Sequence, residues 1–316
     1  MAVRYFDLNT YLRNRFGCRV QKISLDAGLT CPNRDGALSS GGCIYCNPRG
    51  SGTGAAGKGM SITDQILTGM ANLGRRYKAK KFIAYFQSFS NTYAPVETLR
   101  QLYDEAVAVD GVVGLAVGTR PDCISDDILS LLKTYADKTL VWIEYGLQSA
   151  HDDTLARINR GHDFAAFQSA VTATNKQGIP VCVHVILGLP GETRADMIET
   201  AKKLADMNID GLKIHLLYVV RGTRLEEMYQ NGEYACMSQQ EFVDIVCDFL
   251  AHTPDNVVIQ RLTGDPHPEE LVAPDWAMRK TETLHLIRER LEQRNLRQGC
   301  LRGETKHPDP KTGLSY

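Results

Sequence analysis

The chain has 316 residues, of which 43% are hydrophobic and 23% charged, which suits a soluble globular protein of one large domain or a domain with an appendage. The formal net charge of −1 gives no general reason to expect a nucleic acid, a membrane surface or a strongly charged ligand. No apolar run approaches the roughly 18–20 residues that span a bilayer, and the first residues lack the apolar core of a signal peptide, so we expect a cytoplasmic protein without membrane contact.

Apolar runs and amphipathic stretches alternate along the chain and predict strands and helices in turn. In chain order, strands are predicted at residues 20–26, 82–86, 112–118, 140–146, 181–187, 212–217 and 257–260. Helices are predicted at residues 62–77, 96–109, 126–135, 164–177, 194–207, 239–251 and, as a long final helix before a polar tail, roughly 276–297. Capping pairs support three helix starts: Ser61 with Asp64, Thr193 with Asp196, and Ser238 with Glu241.

This alternation indicates parallel strands joined by helical crossovers. The predicted strands are continuous apolar runs, as expected for strands that are buried on both faces. A doubly wound sheet and a β/α barrel both fit the pattern. In either fold, catalytic groups collect at the carboxyl ends of the strands.

Three of the nine cysteines lie close together, in the segment CPNRDGALSSGGCIYC directly after the first strand. Eleven residues separate Cys31 from Cys43, and Cys46 follows at the Cys-x-x-Cys interval. Glycines allow this loop to fold back so that three thiolates converge. Three thiolates leave one iron of a four-iron cluster open to another ligand. Two alternatives remain at this point: a redox pair at Cys43 and Cys46, and a zinc site with Cys18 as fourth ligand.

Further segments follow the cysteine loop in a fixed order: GTRPDCIS at 118–125, EYGLQSAHDDTL at 144–155, HVILGLPGET at 184–193 and YVVRGTRL at 218–225. Together they resemble the radical S-adenosylmethionine (SAM) superfamily, in the branch of the Elongator catalytic subunit and oxygen-independent coproporphyrinogen oxidase. The resemblance is strongest to bacterial YhcC-like proteins, which share the wide first cysteine spacing, the phrase CPNRDG and a downstream RLTGD. It runs from about residue 5 to about residue 295.

The resemblance implies a fold and a metal centre. The fold is α/β, a partial (β/α)6 TIM-type barrel of about six strands with a C-terminal extension. Residues 1–235 would form the barrel with its N-terminal cluster loop, and residues 236–316 the extension. Cys31, Cys43 and Cys46 would hold a [4Fe–4S] cluster whose open iron chelates SAM.

The sequence departs from the family pattern in three places. Most radical SAM enzymes have three residues between the first two cysteines, whereas this chain has eleven. The glycine-rich motif that usually follows the second strand reads QSFSNTY here. No acetyltransferase domain follows in the sequence, so we do not expect the complete Elongator reaction.

The resemblance assigns a set of residues to SAM: Ser90, Asn91, Thr92, Glu144, Gln148, His184 and Gly188. The first three would lie near the SAM amino group, although an ordinary Asn-centred turn also explains them. Glu144 and Gln148 would contact the ribose, and a carboxylate within an apolar strand is costly unless it is paired. His184 and Gly188 belong to the fifth-strand segment on which adenine lies, but His184 could equally be a core histidine with satisfied hydrogen bonds.

Candidates for catalysis or substrate contact lie at the ends of the last strands. Lys213 and His215 share one face of the sixth strand because side chains alternate with a period of two. Tyr218 follows at the end of that strand, and Arg261 ends the last one. Simple packing is the alternative for all of these residues. Arg120 and Asp122 at the end of the third strand are expected to pair with each other or to line the cavity.

The function implied by the resemblance is reductive cleavage of SAM to a 5′-deoxyadenosyl radical, which abstracts hydrogen from an RNA or a metabolite. A one-electron donor such as flavodoxin or ferredoxin is implied as a partner. The Elongator relative acts on tRNA, and two basic stretches, residues 75–81 and the arginines of the final helix, are candidate RNA contacts or simply solvated surface. The alternatives are a zinc-stabilised RNA-binding protein without redox chemistry, and a radical SAM fold in a non-catalytic regulatory role.

Overall fold

The computed structural model describes residues 3–47, 50 and 54–302. The strands are β1 (Val20–Leu25), β2 (Lys81–Phe86), β3 (Val112–Thr119), β4 (Leu140–Gln148), β5 (Val181–Leu187), β6 (Gly211–Leu216), β7 (Val219–Val220), β8 (Val258–Arg261) and β9 (Leu271–Ala273). The α-helices are α1 (Leu8–Phe16), α2 (Ile62–Tyr77), α3 (Val96–Val107), α4 (Asp126–Ala136), α5 (Asp152–Arg157), α6 (Phe164–Lys176), α7 (Arg194–Ala205), α8 (Arg224–Gln230), α9 (Gln239–His252) and α10 (Lys280–Gln293).

Seven strands of the described residues form one sheet in the order β1-β2-β3-β4-β5-β6-β8. All six pairings are parallel. The sheet confirms the expected α/β partial barrel, with one strand more than the roughly six expected. The seventh strand, β8, comes from the predicted C-terminal extension and pairs with β6. Strands β7 and β9 form a separate antiparallel pair.

The outward face of the sheet packs against the helices. Phe86 of β2 meets Tyr103 of α3 at 5.1 Å between ring centroids, and Tyr145 of β4 meets Phe167 of α6 at 6.4 Å. These side chains belong to the main hydrophobic core. Because the inward face is covered too, β2 and β4 are buried along nearly their whole length. This double burial explains why the strands read as continuous apolar runs.

Helix α1 closes the amino end of the barrel. Its buried Leu12 belongs to the same interior cluster as Trp142 of β4, and the Tyr11 ring meets the Trp142 indole edge-on at 5.7 Å. The backbone before the helix pairs with β8, where the Ile259 amide donates to the Phe6 carbonyl at 2.8 Å. The sequence prediction missed this helix, although Asp7 caps its start by accepting from the Thr10 amide.

The other helix predictions differ from the structure mainly at their ends. The three capping pairs are confirmed, with a full capping box at Thr193 and at Ser238. The final helix was predicted too long. Residues Asp275–Met278 form a separate 3₁₀ turn, and α10 ends near Arg294 before a turn that contains Asn295 at φ 49°. The short helices α5 and α8 were not predicted, and the predicted polar tail beyond residue 302 lies outside the described residues.

Candidate active site

The carboxyl ends of the strands and the cysteine loop enclose a cavity of about 220 Å³. The three clustered cysteines line it. Most of the other predicted site residues line it as well: Ser90, Glu144, Gln148, His184, Lys213, His215, Tyr218 and Arg261. Within the described chain, Asn91, Thr92 and Gly188 are not part of this lining. Residues far apart in sequence thus meet at the end of the sheet where catalytic groups of parallel folds collect.

The cysteine loop folds back on itself through its own polar groups. The Gly42 amide donates to the Asn33 carbonyl at 2.7 Å, and Gly42 has a left-handed φ of 71° that favours glycine. The Arg34 guanidinium donates to the carbonyls of Cys46 and Asn47 at 2.5 and 2.6 Å. These contacts hold the second half of the loop against the first, so that both ends of the cysteine segment reach the cavity.

The placement of the thiols argues against a single tetrahedral ion. The sulfurs of Cys31, Cys43 and Cys46 do not all lie within 4.8 Å of one another. Zn–S bonds of about 2.3 Å in a tetrahedron would hold the sulfurs about 3.8 Å apart. Cys18, the proposed fourth zinc ligand, precedes β1 at the amino end of the barrel, whereas Cys31 follows its carboxyl end. A cluster is larger than one ion, so the wider arrangement suits it better.

Cys43 lies against a buried cation. The Arg160 guanidinium, 8% exposed, approaches the Cys43 sulfur at 3.5 Å and is anchored by two hydrogen bonds to the Gly146 carbonyl. The Asn33 amide lies 3.7 Å from the same sulfur. Burial alone would raise the pKa of the Cys43 thiol, but the Arg160 charge and hydrogen bond outweigh it and lower that pKa. The surroundings of Cys43 therefore favour its thiolate, the form that binds metal, whereas burial raises the pKa of the Cys46 thiol.

Glu144 is the centre of a buried charge cluster inside the barrel. Its carboxylate is paired with Lys22 at 2.5 Å, with Lys213, and with the His184 ring at 2.8 Å. Burial would raise the pKa of this carboxyl group, but Lys213 and Lys22 hold it well below its usual range. Glu144, Cys182 and His184 are close enough to hold a metal ion. Two ammonium groups on the same carboxylate oppose a cation there, so this cluster is better described as an ion-pair network.

The ion-pair network occupies the carboxylate that was predicted to contact the ribose of SAM. Both of its carboxylate oxygens already hold protein partners, Oε1 on Lys22 and Oε2 on Lys213 and His184. Gln148, the other predicted ribose contact, ends β4 at a left-handed φ of 80° and lines the cavity half-buried. The ribose role of the pair stays a prediction.

The segment 90–92 divides between the cavity and the scaffold. Ser90 lines the cavity, and its buried hydroxyl has no hydrogen-bond partner among the described residues. The Asn91 amide donates to the Gly118 carbonyl at 2.9 Å, and the Thr92 hydroxyl donates to the Cys123 carbonyl at 2.5 Å. Both therefore tie the end of β2 to the end of β3. Gly188 lies in a neighbouring pocket, where its carbonyl accepts from the Tyr234 hydroxyl.

The four catalytic candidates share one wall of the cavity. The His215 ring stacks on His184 at 5.3 Å, and its buried Nε2 has no partner within the described chain. Burial lowers the pKa of Lys213 to about 8 even though Glu144 opposes the shift. Arg261 lies beside Lys213 on the neighbouring strand β8. Tyr218 packs its ring so closely over Gly264 that a Cβ there would lie 2.7 Å from it.

Arg120 and Asp122 pair as expected. Two guanidinium nitrogens of Arg120 donate to the two carboxylate oxygens at 2.9 and 2.6 Å, the bidentate geometry typical of strong pairs. Arg120 is 2% exposed and also donates to the Arg160 carbonyl, which fixes the segment that carries the Arg160 side chain. Arg120 lines one side of the cavity, and its pairing with Asp122 braces the loop after β4.

Sequence reasoning missed several functional neighbours: Lys22, Asn33, Arg34, Arg160 and Gln260. The sequence does contain a signal for Lys22, because a lysine within an apolar strand needs a buried acidic partner, just as Glu144 needs a basic one. Its amino group bridges Glu144 and Gln260, at 2.5 and 2.6 Å. Arg160 stands in a polar stretch after a short helix, and nothing local distinguishes it from a surface arginine.

The basic residues 75–81 lie away from the cavity mouth, and none of the arginines of the final helix lines the cavity. Residues 75–81 join the end of α2 to the start of β2, at the amino end of the barrel. Near them the Arg19 guanidinium lies over the Tyr77 ring, and Lys81 over the Phe16 ring. On α10, Arg290 pairs with Asp244 at 2.5 Å, and at its end Arg294 pairs with Asp248 at 2.6 Å. Two arginines of the predicted final helix are thus paired with acidic residues of α9.

No helix among the described residues combines the length and the apolar stretch that crossing a bilayer requires.

Known families and structures match the chain along most of its length. The model of the Radical SAM superfamily matches residues 33–204, and that of the Radical_SAM C-terminal domain matches residues 209–293. The uncharacterized protein YtqA of Bacillus subtilis (strain 168) is 43% identical over 300 residues, 94% of this chain and 92% of YtqA. Protein YhcC of Escherichia coli (strain K12) is 41% identical over 266 residues, 84% of this chain and 85% of YhcC.

Among solved structures, the archaeal Methanocaldococcus infernus Elp3 with an N-terminal deletion has the same fold. Its TM-score is 0.67 at 17% sequence identity. The match covers 88% of this chain and 64% of that chain. The resemblance read from the ordered motifs to YhcC-like and Elongator-like proteins is confirmed.

Proposed function

Since this chain belongs to the radical SAM superfamily, and is therefore a radical SAM enzyme, we propose that Cys31, Cys43 and Cys46 hold a [4Fe–4S] cluster at the cavity. SAM would be held in the same cavity. When bound, the cluster would supply the electron that splits SAM into methionine and a 5′-deoxyadenosyl radical, and this radical would remove hydrogen from the substrate. The observation that carries the proposal is that these three thiols line one cavity, too far apart to serve one tetrahedral ion together.

The residues around the thiols support the same chemistry. Arg160 and Asn33 place N–H donors toward the Cys43 sulfur, and hydrogen bonds to cluster sulfurs are a main determinant of cluster potential. Ser90 and Gln148 offer polar groups to a nucleoside, and the Glu144 network fixes the His184 ring in the same cavity.

The substrate is an RNA or a metabolite, and the reducing electron comes from a donor such as flavodoxin or ferredoxin. Reduced iron–sulfur chemistry and free thiols suit the cytoplasm, where cysteines stay reduced. All nine cysteines are unpaired in the structure. The tRNA substrate of the Elongator relative makes RNA the first macromolecule to test.

The first prediction concerns the cluster. Cys31→Ala, Cys43→Ala and Cys46→Ala should each abolish cluster assembly, because each removes one of three thiolate ligands. Iron and sulfide content and the brown absorption are measured after anaerobic reconstitution. Cys123→Ala and Cys236→Ala are matched controls that should keep the cluster, since neither residue lines the cavity. Full iron retention in the Cys43→Ala protein would contradict the assignment.

The same reconstituted protein distinguishes the proposed enzyme from a zinc-stabilised RNA-binding protein and from a radical SAM fold with a regulatory role. A colourless protein with stoichiometric zinc favours the zinc-stabilised RNA-binding protein. A brown protein that binds SAM but yields no 5′-deoxyadenosine after reduction favours a regulatory role. Slow release of 5′-deoxyadenosine without substrate is the result expected for the enzyme.

A further inference from the structure

The inner wall of the cavity carries more positive charge than its protein partners neutralise. We propose that Arg261, Lys213 and His215 bind an anionic oxyacid group of the substrate, a phosphate or a carboxylate. The inference rests on the proposed function and names the substrate class for the same site.

The charge balance of the lining is the first step. Among the described residues, the charged side chains that line the cavity are one carboxylate, Glu144, and five cations: Arg34, Arg120, Arg160, Lys213 and Arg261. Buried charges of one sign are costly unless an opposite charge meets them. The three cysteines add negative charge as thiolates, and Cys43 does so beside Arg160, so the surplus positive charge lies on the wall that carries Lys213 and Arg261.

Three of these cations have partners of their own. Arg34 donates to two backbone carbonyls, Arg120 pairs with Asp122, and Arg160 is held between the Gly146 carbonyl and the Cys43 sulfur. Lys213 and Lys22 share the single Glu144 carboxylate. Since two ammonium groups share one carboxylate, the group formed by Lys22, Lys213 and Glu144 keeps an excess positive charge.

Arg261 adds a further positive charge. Among the described residues no carboxylate forms an ion pair with it, since Glu144 is paired with Lys22 and Lys213 and Asp265 is paired with Lys280. It stands in register with Lys213 across the β6–β8 pairing, so both side chains project from neighbouring strands. The positive charge of Arg261 also lowers the pKa of His215, and among the causes of that shift only burial is larger.

His215 supplies a directed polar contact. It lies two residues beyond Lys213 on β6 and therefore on the same face. Its Nε2 is buried without a hydrogen-bond partner among the described residues. A buried ring nitrogen without a partner costs stability unless a ligand satisfies it. Two cations from neighbouring strands and one ring N–H form a site that a phosphate or carboxylate matches and a neutral group does not.

The test uses the anaerobically reconstituted holoenzyme with saturating SAM, and inorganic phosphate and acetate as probes. Phosphate binding is followed by ³¹P NMR, and acetate by competition. Wild type should bind at least one probe saturably, and the tighter one shows whether phosphate or carboxylate is the group recognised. Arg261→Gln and His215→Gln should weaken binding about tenfold or more, the range for losing a charge-assisted hydrogen bond. Arg261→Lys should retain part of it.

Arg13→Gln is the matched control, because Arg13 is exposed on α1 and its replacement removes an equal charge at the amino end of the barrel. Its probe affinity should equal that of wild type. Equal affinities in Arg261→Gln and wild type, no saturable binding of either probe, or loss of probe binding whenever SAM is present would each overturn the inference. SAM cleavage is assayed in parallel: anion binding without cleavage refutes the proposed function alone, and cleavage without anion binding refutes this inference alone.

Discussion

Glu144 balances two lysines and a histidine inside the barrel, and this one carboxylate largely determines the charge of the interior. Glu144→Ala should destabilise the protein by about 3–5 kcal/mol, because it leaves buried ammonium groups unpaired. Urea unfolding of the cluster-free protein measures the loss. The exposed Glu97, which contacts Arg100 and Gln101 on its own helix, provides the control Glu97→Ala, which should cost less than about 0.5 kcal/mol. Equal losses in the two variants would contradict the network.

The histidines of the interior make stability depend on pH. Burial lowers the pKa of His184 from 6.5 to about 4, and His162 shifts likewise. As pH falls through 6.5, the unfolded chain binds protons that the folded chain does not, so the free energy of unfolding should fall between about pH 6.5 and 4. His184→Gln should flatten this slope by at most about 1.4 kcal/mol per pH unit. Denaturant unfolding at several pH values tests it, and an unchanged slope would exclude His184.

For individual residues, the sequence predicted which side chains line the cavity more successfully than it predicted which side chains pair with each other. The cysteines, His184, Lys213 and Arg261 all line one cavity, because the cysteine loop follows β1 and the other three side chains lie on β5, β6 and β8, which motif order and periodicity reveal. The partners of Glu144 could not be named, since Lys22 and Lys213 lie 122 and 69 residues away from it. Those pairings depend on the curvature of the sheet, which brings β1, β4 and β6 face to face.

Helix α2 approaches β1 so closely that one of its glycines is required for packing. A Cβ on Gly69 would overlap the Ile23 side chain, whereas a Cβ on Gly74 in the same helix would meet only ordinary contacts at 3.5 Å. Gly74→Ala should therefore stabilise the protein by about 0.5–1 kcal/mol through helix propensity. Gly69→Ala should destabilise it by about 1–3 kcal/mol through overpacking. Thermal unfolding of the two variants compares them, and stabilisation by both would refute the close contact.

The helices and strands show which parts of the fold local sequence patterns can predict. Long helices and buried strands were located to within a few residues, because apolar periodicity and capping pairs are local signals. Helix α1 was missed because its apolar residues do not form a strong stripe, and it is stabilised by plugging the barrel. The final helix was predicted too long because its polar arginines continue past Arg294, where contacts with α9 and a left-handed Asn295 end it.

Across the whole molecule, the basic residues 75–81 and the cavity mouth lie at opposite ends of the barrel. Six-residue strands such as β1 and β2 separate the two ends by about 20 Å. An RNA bound at the amino end has to span that distance to present a nucleotide to the cavity. The basic run is therefore an anchoring surface, if RNA is the substrate, and not part of the catalytic pocket.

Changing Arg75, Arg76, Lys78, Lys80 and Lys81 to Glu should accordingly reduce tRNA affinity and flatten its salt dependence. It should leave substrate-free SAM cleavage at the wild-type rate, because none of these residues lines the cavity. Filter binding across a salt series and 5′-deoxyadenosine release measure the two effects. Identical salt slopes for variant and wild type would count against RNA recognition here, and a large loss of SAM cleavage would show that the run acts on the site.

The pairing of Phe6 with Ile259 also has a consequence for the order in which the protein is made. At roughly 5–20 residues per second, the ribosome needs roughly 10–50 s after residue 6 to deliver the strand that this segment pairs with. Throughout that time α1 has no complete barrel end to plug, and the apolar interior around Trp142 has no cover from it. Contacts so distant in sequence form slowly. Folding thus cannot finish before translation is nearly complete, and until then the apolar interior stays uncovered at that end.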